Sequence, residues 1–216
     1  MTHNLSRWFI FGIIVLIQLA VPTWMIQQHE QVLAQGQVFR FKTAPVDPYD
    51  LFRGRYVALR IASDSASFPA DSDEFKAMAL NSAENSAEKA GVHIIVDASW
   101  APGRDYFVSL KTDKQGVTSL YKVLKDPPET TPYLKLKVSS SEGTKLYFEM
   151  PFDRFYLEET LAPAVESAYQ DMSRTENQQA YISVRVLEGR AVIEDLYLDN
   201  LPAREYIQQQ ASKAQN

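Results

Sequence analysis

Cysteine is absent from the 216 residues, which excludes disulfides, thiolate metal sites and a cysteine nucleophile. It also fits an exported protein that avoids stray oxidation, as it does many cytosolic ones. Histidine is nearly absent. His3, His29 and His93 stand alone, without a His-x-x-x-His or His/carboxylate pattern, so no metal centre and no cofactor is expected. Positive charge is not in excess either. The net charge of −5 argues against a nucleic-acid partner, because phosphate binding needs a basic surface. Low-complexity tracts and internal repeats are lacking as well.

The hydrophobic content of 45% is ordinary for a globular chain, but part of it is concentrated before residue 27. Trp8 to Ile26 (WFIFGIIVLIQLAVPTWMI) carries no charge and is close to the ~20 residues that span a hydrocarbon core as a helix. Trp8 and Trp24 stand near its two ends, where interfacial aromatics belong. Arg7 precedes the run, and the next Lys or Arg is Arg40. The positive-inside bias then leaves residues 1–7 in the cytoplasm, a transmembrane anchor over 8–26, and the bulk of the chain outside. A cleaved signal peptide is the competing reading, but the run exceeds a usual signal core and no clean Ala-x-Ala site follows.

Residues 27–36 are polar apart from Val32 and Leu33 and read as a juxtamembrane stalk or helix end. Residues 37–207 form the expected domain, and 208–216 a polar tail. Alternation and turn residues predict strands over 37–43, from Arg55 through Ile61, and over 92–98, 105–112, 116–124, 133–139, 145–150, 180–187 and 191–198. Residues 63–91 interrupt this pattern. There Phe75, Met78, Ala79, Ala83 and Ala87 recur at helical spacing up to Gly91, as in a surface helix or mobile insertion. A core helix is expected from about Pro163 to Met172, with Val165, Ala168 and Met172 inward. A short helix over 202–210 precedes the tail. The resulting fold class is β-dominated α+β: a transmembrane helix, then an antiparallel β-rich extracytoplasmic domain with one late core helix.

Two stretches are denser in special residues than the rest. The first is Asp47-Pro48-Tyr49-Asp50-Leu51-Phe52-Arg53-Gly54-Arg55-Tyr56-Val57-Ala58-Leu59-Arg60. Its aspartates can cap backbone N–H groups, Pro48 presets φ for a turn, and Gly54 supplies a positive φ or a bulge. Arg53 paired with Asp47 or Asp50 would lock that turn. Alternatively, the Arg53 and Arg55 guanidiniums form a binding edge for a carboxylate or lipid phosphate. The second stretch is Pro151 to Glu159 (PFDRFYLEE). Asp153, Arg154, Glu158 and Glu159 read as a solvated cluster at a helix start, favoured by the macrodipole. The other reading is paired carboxylates for acid–base work, which need a separation that spacing in sequence does not fix. Ser109 with Lys111, and Ser139 with Lys145, are ordinary hairpin residues rather than a serine–lysine dyad.

Around Arg53-Gly54-Arg55-Tyr56-Val57-Ala58-Leu59 the chain resembles the GDYXXLXY family of membrane-anchored bacterial proteins. In that family an anchor precedes a segment of the form DP-x-D-L-x-R-G-D-Y-x-x-L-x-Y. Asp47, Pro48, Asp50, Leu51, Arg53, Gly54, Tyr56 and Leu59 match it, while Arg55 replaces an Asp and Ile61 the final Tyr. Phe148–Glu159 resembles the family's second aromatic segment through Asp153, Arg154, Phe155, Tyr156 and Glu158, without the Gly after the Glu. The Ala191–Ile207 stretch is similar too. The resemblance implies an inner-membrane protein facing the periplasm, often associated with a polytopic membrane protein, and implies no established enzymatic activity.

The expected function is therefore a non-enzymatic accessory or interaction subunit of an inner-membrane assembly. Its partners are the lipid bilayer through residues 8–26 and a polytopic inner-membrane protein. Two other classes compete with this. One is an anchored envelope hydrolase, signal-peptidase-like or carboxylate-based. The other is a small-ligand-binding module, which predicts an apolar pocket within the β-domain.

Overall fold

The computed structural model describes residues 2–44, 56–73, 103–174 and 180–214, with Phe75, Lys76 and Met78. Helix α1 runs from Thr2 to Gln35. Its apolar part stands clear of the rest of the protein, with Phe9 72% and Ile26 63% exposed. Phe9–Gln35 is long and apolar enough to cross a membrane. Its 34 residues rise roughly 51 Å, against about 30 Å of hydrocarbon. The expected stalk over 27–36 is thus the continuation of the same helix. Pro22 lies within it and removes one backbone donor. Next to it, the Thr23 hydroxyl donates to the Leu19 carbonyl at 2.8 Å.

The helix ends on Gly36, whose N–H donates to the Val32 carbonyl at 2.8 Å. A Cβ at this position would collide with the Val32 carbonyl and crowd Arg185 Cβ at 3.1 Å. Glycine therefore lets α1 turn directly into strand β1, Gln37–Ala44. The remaining strands are β2 (Tyr56–Ala58), β3 (Arg60–Ile61), β4 (Ser65–Ser67), β5 (Asp105–Thr112), β6 (Thr118–Leu124), β7 (Tyr133–Glu142), β8 (Lys145–Glu149), β9 (Arg154–Tyr156), β10 (Ala180–Leu187), β11 (Arg190–Leu198) and β12 (Leu201–Pro202). Two late helices complete the described elements: α2 (Ala162–Arg174) and α3 (Ala203–Ala214).

The strands form three hydrogen-bonded units. One sheet has the order β12-β11-β10-β1-β3, β2 pairs with β9, and β4-β6-β5-β7-β8 close into a barrel. In the sheet β1 lies antiparallel to β10, from Gln37↔Val186 to Lys42↔Tyr181. The β10–β11 hairpin turns on Glu188 and Gly189, with φ of 48° and 80°. Two successive positive φ values match the right-handed strand twist. In the β5–β6 hairpin, Asp113 Oδ1 accepts the N–H groups of Gln115 and Val117 at 2.8 and 2.9 Å. Gly116 sits beside them at φ 82°.

A single apolar core runs through sheet and barrel, joining Phe41, Ile182 and Leu196 to Val108, Leu134 and Leu146. Each such side chain contributes about 1.5–3 kcal/mol by burial. The units are also stitched by backbone, since Lys135 N–H donates to the Gly189 carbonyl at 2.8 Å. Helix α2 turns Val165, Tyr169 and Met172 inward, and the Tyr169 hydroxyl donates to the Ala44 carbonyl at 2.9 Å.

Several sequence expectations change. Arg55 through Ile61 was expected as one strand, and Val57, Leu59 and Ile61 do share a buried face. The backbone nevertheless splits into β2, paired with β9, and β3, paired with β1. The switch falls at Leu59, whose N–H donates to the Asp153 carbonyl at 2.8 Å. The expected insertion over 63–91 contains β4, which closes the barrel by pairing antiparallel with β8 and parallel with β6. Ala66, Phe68 and Met78 bury their side chains in the core. The helical spacing read from Phe75 onward does begin as helix, at Asp73, capped by Ser72 Oγ accepting the Phe75 N–H at 3.1 Å. Strand β7 runs past the predicted end at 139 to Glu142, which leaves only Gly143 and Thr144 as the turn before β8. Helix α3 extends through most of the predicted polar tail, anchored by the buried Ala203 and partly buried Tyr206 and Ile207. The strand predicted over 92–98 and the cap at Gly91 lie outside the described residues.

Candidate functional site

The two dense stretches meet. Strands β2 and β9 pair antiparallel, with Tyr56 opposite Tyr156, Val57 opposite Phe155, and Ala58 opposite Arg154. Alternation sends Val57 inward, fully buried, and leaves Tyr56, Ala58, Arg154 and Tyr156 on the outer face. Leu59, buried in the core, ties the end of β2 to Asp153 through its N–H. Behind the ladder Phe152 packs on Phe41, ring centroids 5.2 Å apart.

On the outer face the side chains order one another. The Tyr56 and Tyr156 rings lie 5.8 Å apart at 59°, within the range of favourable aromatic pairs. The Arg154 guanidinium sits over the Tyr56 ring at 5.2 Å, a cation–π contact. Arg154 Nε also meets Asp153 Oδ2 at 3.7 Å. A side-chain hydrogen bond with Tyr156, then the Asp153 charge, raises the Arg154 pKa above its ordinary value. Tyr156 nevertheless remains 67% exposed.

Beside Tyr156 lies an open groove of about 570 Å³, lined by Phe155, Leu157, Glu158, Glu194, Asp195 and Arg204 among others. Glu158 accepts from Arg204 Nη2 at 3.0 Å, which links the β9–α2 connection to α3. Glu194 is the extra residue of a bulge where the β10–β11 register shifts. It accepts from Arg185 Nη2 at 2.7 Å and from the Ser183 hydroxyl at 2.8 Å. The Arg185 bond holds the Glu194 carboxyl below its ordinary range, against the opposing effect of burial. Its neighbour Asp195 is pushed up, chiefly by burial, and its Oδ1 accepts the Leu196 N–H at 2.8 Å.

Of the residues singled out in sequence, Tyr56, Leu59, Asp153, Arg154 and Tyr156 gather at this ladder, and Glu158 adjoins it. Asp47, Pro48, Asp50, Arg53, Gly54 and Arg55 lie outside the described residues. Ile61, where the family signature has its final Tyr, is buried opposite Thr43. A phenol there would need a partner that an apolar side chain does not. Ser109 bonds both backbone groups of Lys122 at the β5–β6 bulge, and Lys111 lies over the Tyr121 ring. Among the described residues, no three His, Asp or Glu side chains are grouped to hold a metal ion.

Sequence reasoning missed Glu194, Asp195 and Arg204. A signal for Arg204 was present, because a cation in the first turn of a helix opposes the macrodipole and so invites another partner. The groove carboxylates had no such signal, since a bulge is a property of two paired strands.

A family model described as GDYXXLXY protein matches residues 18–196. Neither a curated protein nor a solved structure matches the chain. The match and helix α1 are together compatible with a membrane-anchored protein. Covering most of the chain and both strands of the ladder, the match shows that this chain belongs to the GDYXXLXY family.

Proposed function

We propose that this is a single-pass inner-membrane protein, residues 1–7 cytoplasmic and the β-domain periplasmic, that docks through the β2–β9 ladder onto a polytopic membrane protein. Its role in this reading is that of a non-enzymatic accessory subunit. The observation that carries it is the meeting of the two aromatic segments on one exposed face, presenting Tyr56, Arg154 and Tyr156 together. Tyrosine and arginine dominate the energetics of protein interfaces. The charge step at Arg7, with no further cation until Arg40, supports the orientation. The adjoining groove is lined by Glu158, Glu194, Asp195 and Glu205; Arg204 pairs with Glu158 and Arg185 with Glu194, and the remaining acidic groups favour a partner segment bearing lysine or arginine. A photocrosslinking residue at Tyr156 in cells, read by mass spectrometry, is expected to capture one polytopic membrane protein. Self-crosslinks alone would remove the docking role.

The groove also favours a second reading, an anchored carboxylate hydrolase, because it collects Glu158 with Asp195, whose raised pKa suits a general acid. Turnover of a glycan or ester substrate, lost in both Asp195→Asn and Glu158→Gln, would carry that reading. Turnover untouched by either variant would remove it.

A further inference from the structure

Away from the ladder, a cleft of about 300 Å³ separates the end of α1 from the β10–β11 hairpin. Gln28 and His29 line it from the helix, Lys135 from β7 and Arg190 from the hairpin, with Val32 and Pro151 among its apolar lining. The helix and hairpin are fixed to each other. Val32 is buried, and Arg190 Nη1 donates to Gln28 Oε1 at 2.8 Å. The volume lies at the small end of the roughly 300–1,000 Å³ typical of ligand sites.

Charge and position together select an occupant. Among the described residues, two cations and no carboxylate line the cleft, although the whole chain carries −5. Each cation has an acidic neighbour outside the lining: Arg190 reaches Glu188 at 3.9 Å and Lys135 reaches Asp105 at 3.3 Å. Both pairs are exposed, and such pairs contribute only about 0–1 kcal/mol. A phosphate offering charge-assisted hydrogen bonds competes well with them. Gln28 and Val32 follow Ile26, the end of the continuous apolar run, by two and six positions, or about 3 and 9 Å along a helix axis. The headgroup layer extends roughly 5–8 Å beyond the hydrocarbon. With α1 in a bilayer, Gln28 and His29 stand in that layer and Val32 just beyond it.

We propose that this cleft binds the phosphate of an anionic glycerophospholipid in the leaflet adjoining Ile26. Arg190 and Lys135 hold the phosphate oxygens, and the apolar lining receives the glycerol end. The inference rests on the membrane-anchored reading. A lipid seated here orients the β-domain against the bilayer, because the helix enters β1 through Gly36 without a linker.

The test uses the full chain in nanodiscs of phosphatidylcholine with phosphatidylglycerol, released for native mass spectrometry. Resistance to alkaline extraction from membranes is measured first, and a chain that is extracted overturns both readings. For the integrated chain, retained phosphatidylglycerol is expected to fall by about tenfold in Arg190→Gln with Lys135→Gln, the loss of charge-assisted bonds. Lys111→Gln with Lys122→Gln, on the barrel, is expected to retain it fully. Lys135→Gln alone, whose side chain meets Asp105 rather than α1, gives the same direction at smaller size should the double variant misfold. Equal retention by wild type and the Lys135 and double variants overturns the inference while leaving the anchor intact. Displacement of the lipid by millimolar inorganic phosphate overturns the lipid assignment in favour of a soluble phosphate.

Discussion

The barrel and the open sheet share one core yet solve the problem of their edges differently. The barrel closes, with β4 pairing to both β6 and β8, and closure leaves no edge strand to protect. The sheet stays open and ends on the two-residue strands β12 and β3. Short edges of this kind discourage further pairing. All three described helices pack against strands outside the barrel: α1 on β10 and β11, α2 on β2 and β10, α3 on β11 and β12. The ladder and the acidic groove lie on that side, and the cleft beside α1 borders it. The barrel enters the cleft only through Lys135 of β7. Closure leaves the barrel little edge to offer, whereas an open sheet has faces and ends on which helices and partners can be placed.

The largest expected effect tests whether this contrast is one of surface only. Leu134→Ala in the barrel and Ile182→Ala in the sheet each truncate a fully buried side chain and should cost about 2–5 kcal/mol. Because both belong to one core, each is expected to lower the midpoint of a single unfolding transition of the domain. Two separable transitions by hydrogen exchange would break the comparison into two domains.

A smaller effect is expected at the seam between the units. Gly189 has φ +80°, and a Cβ there would stand 2.8 Å from Tyr133 Cε2. Gly189→Ala is therefore expected to destabilise by about 1–3 kcal/mol and to loosen protection at Lys135, whose N–H it receives. Full protection at Lys135 in this variant would show that the barrel holds itself.

The smallest effects are on the sheet, at two adjacent carboxylates with opposite signs. Glu194 has a lowered pKa, so its stabilisation is present above its ordinary value of 4.5 and is lost as pH falls through the lower folded value. Asp195 has a raised pKa, so its folded form favours the proton, and stability declines as pH rises from 3.8 through the folded value. At pH 7, Glu194→Gln should lower the thermal midpoint and Asp195→Asn should raise it. Screening keeps each below about 1 kcal/mol, and both differences should fade on acidification below these values. Shifts of the same sign in the two variants would contradict the burial of Asp195.

Local pattern made most strands legible. The alternation in 105–112 and 180–187, with polar turns beside them, specified strands at the bounds observed for β5 and β10. Pairing was less legible. Nothing local in Tyr56–Ile61 says that its first half joins residues 154–156 and its second half β1. Ser65–Ser67 is too short and polar to announce a barrel strand, because its role comes from the neighbours it closes upon. The ladder residues were named from composition, but their contact was not. The groove and cleft arise from elements distant in sequence and had no local trace beyond the unfavourable placement of Arg204.

The seating of β1 between β10 and β3 also orders events during synthesis. Strand β1 leaves the ribosome directly after the helix, whereas its partner β10 follows far later, with Thr43 and Ala180 separated by 137 residues. At about 5–20 residues per second, that delay is roughly 7–27 s. Throughout it the backbone of β1 has no β10 to pair with, and on the membrane-anchored reading it waits beside the bilayer. Maturation of this protein therefore favours a factor that shields β1, or translation fast enough to shorten the wait.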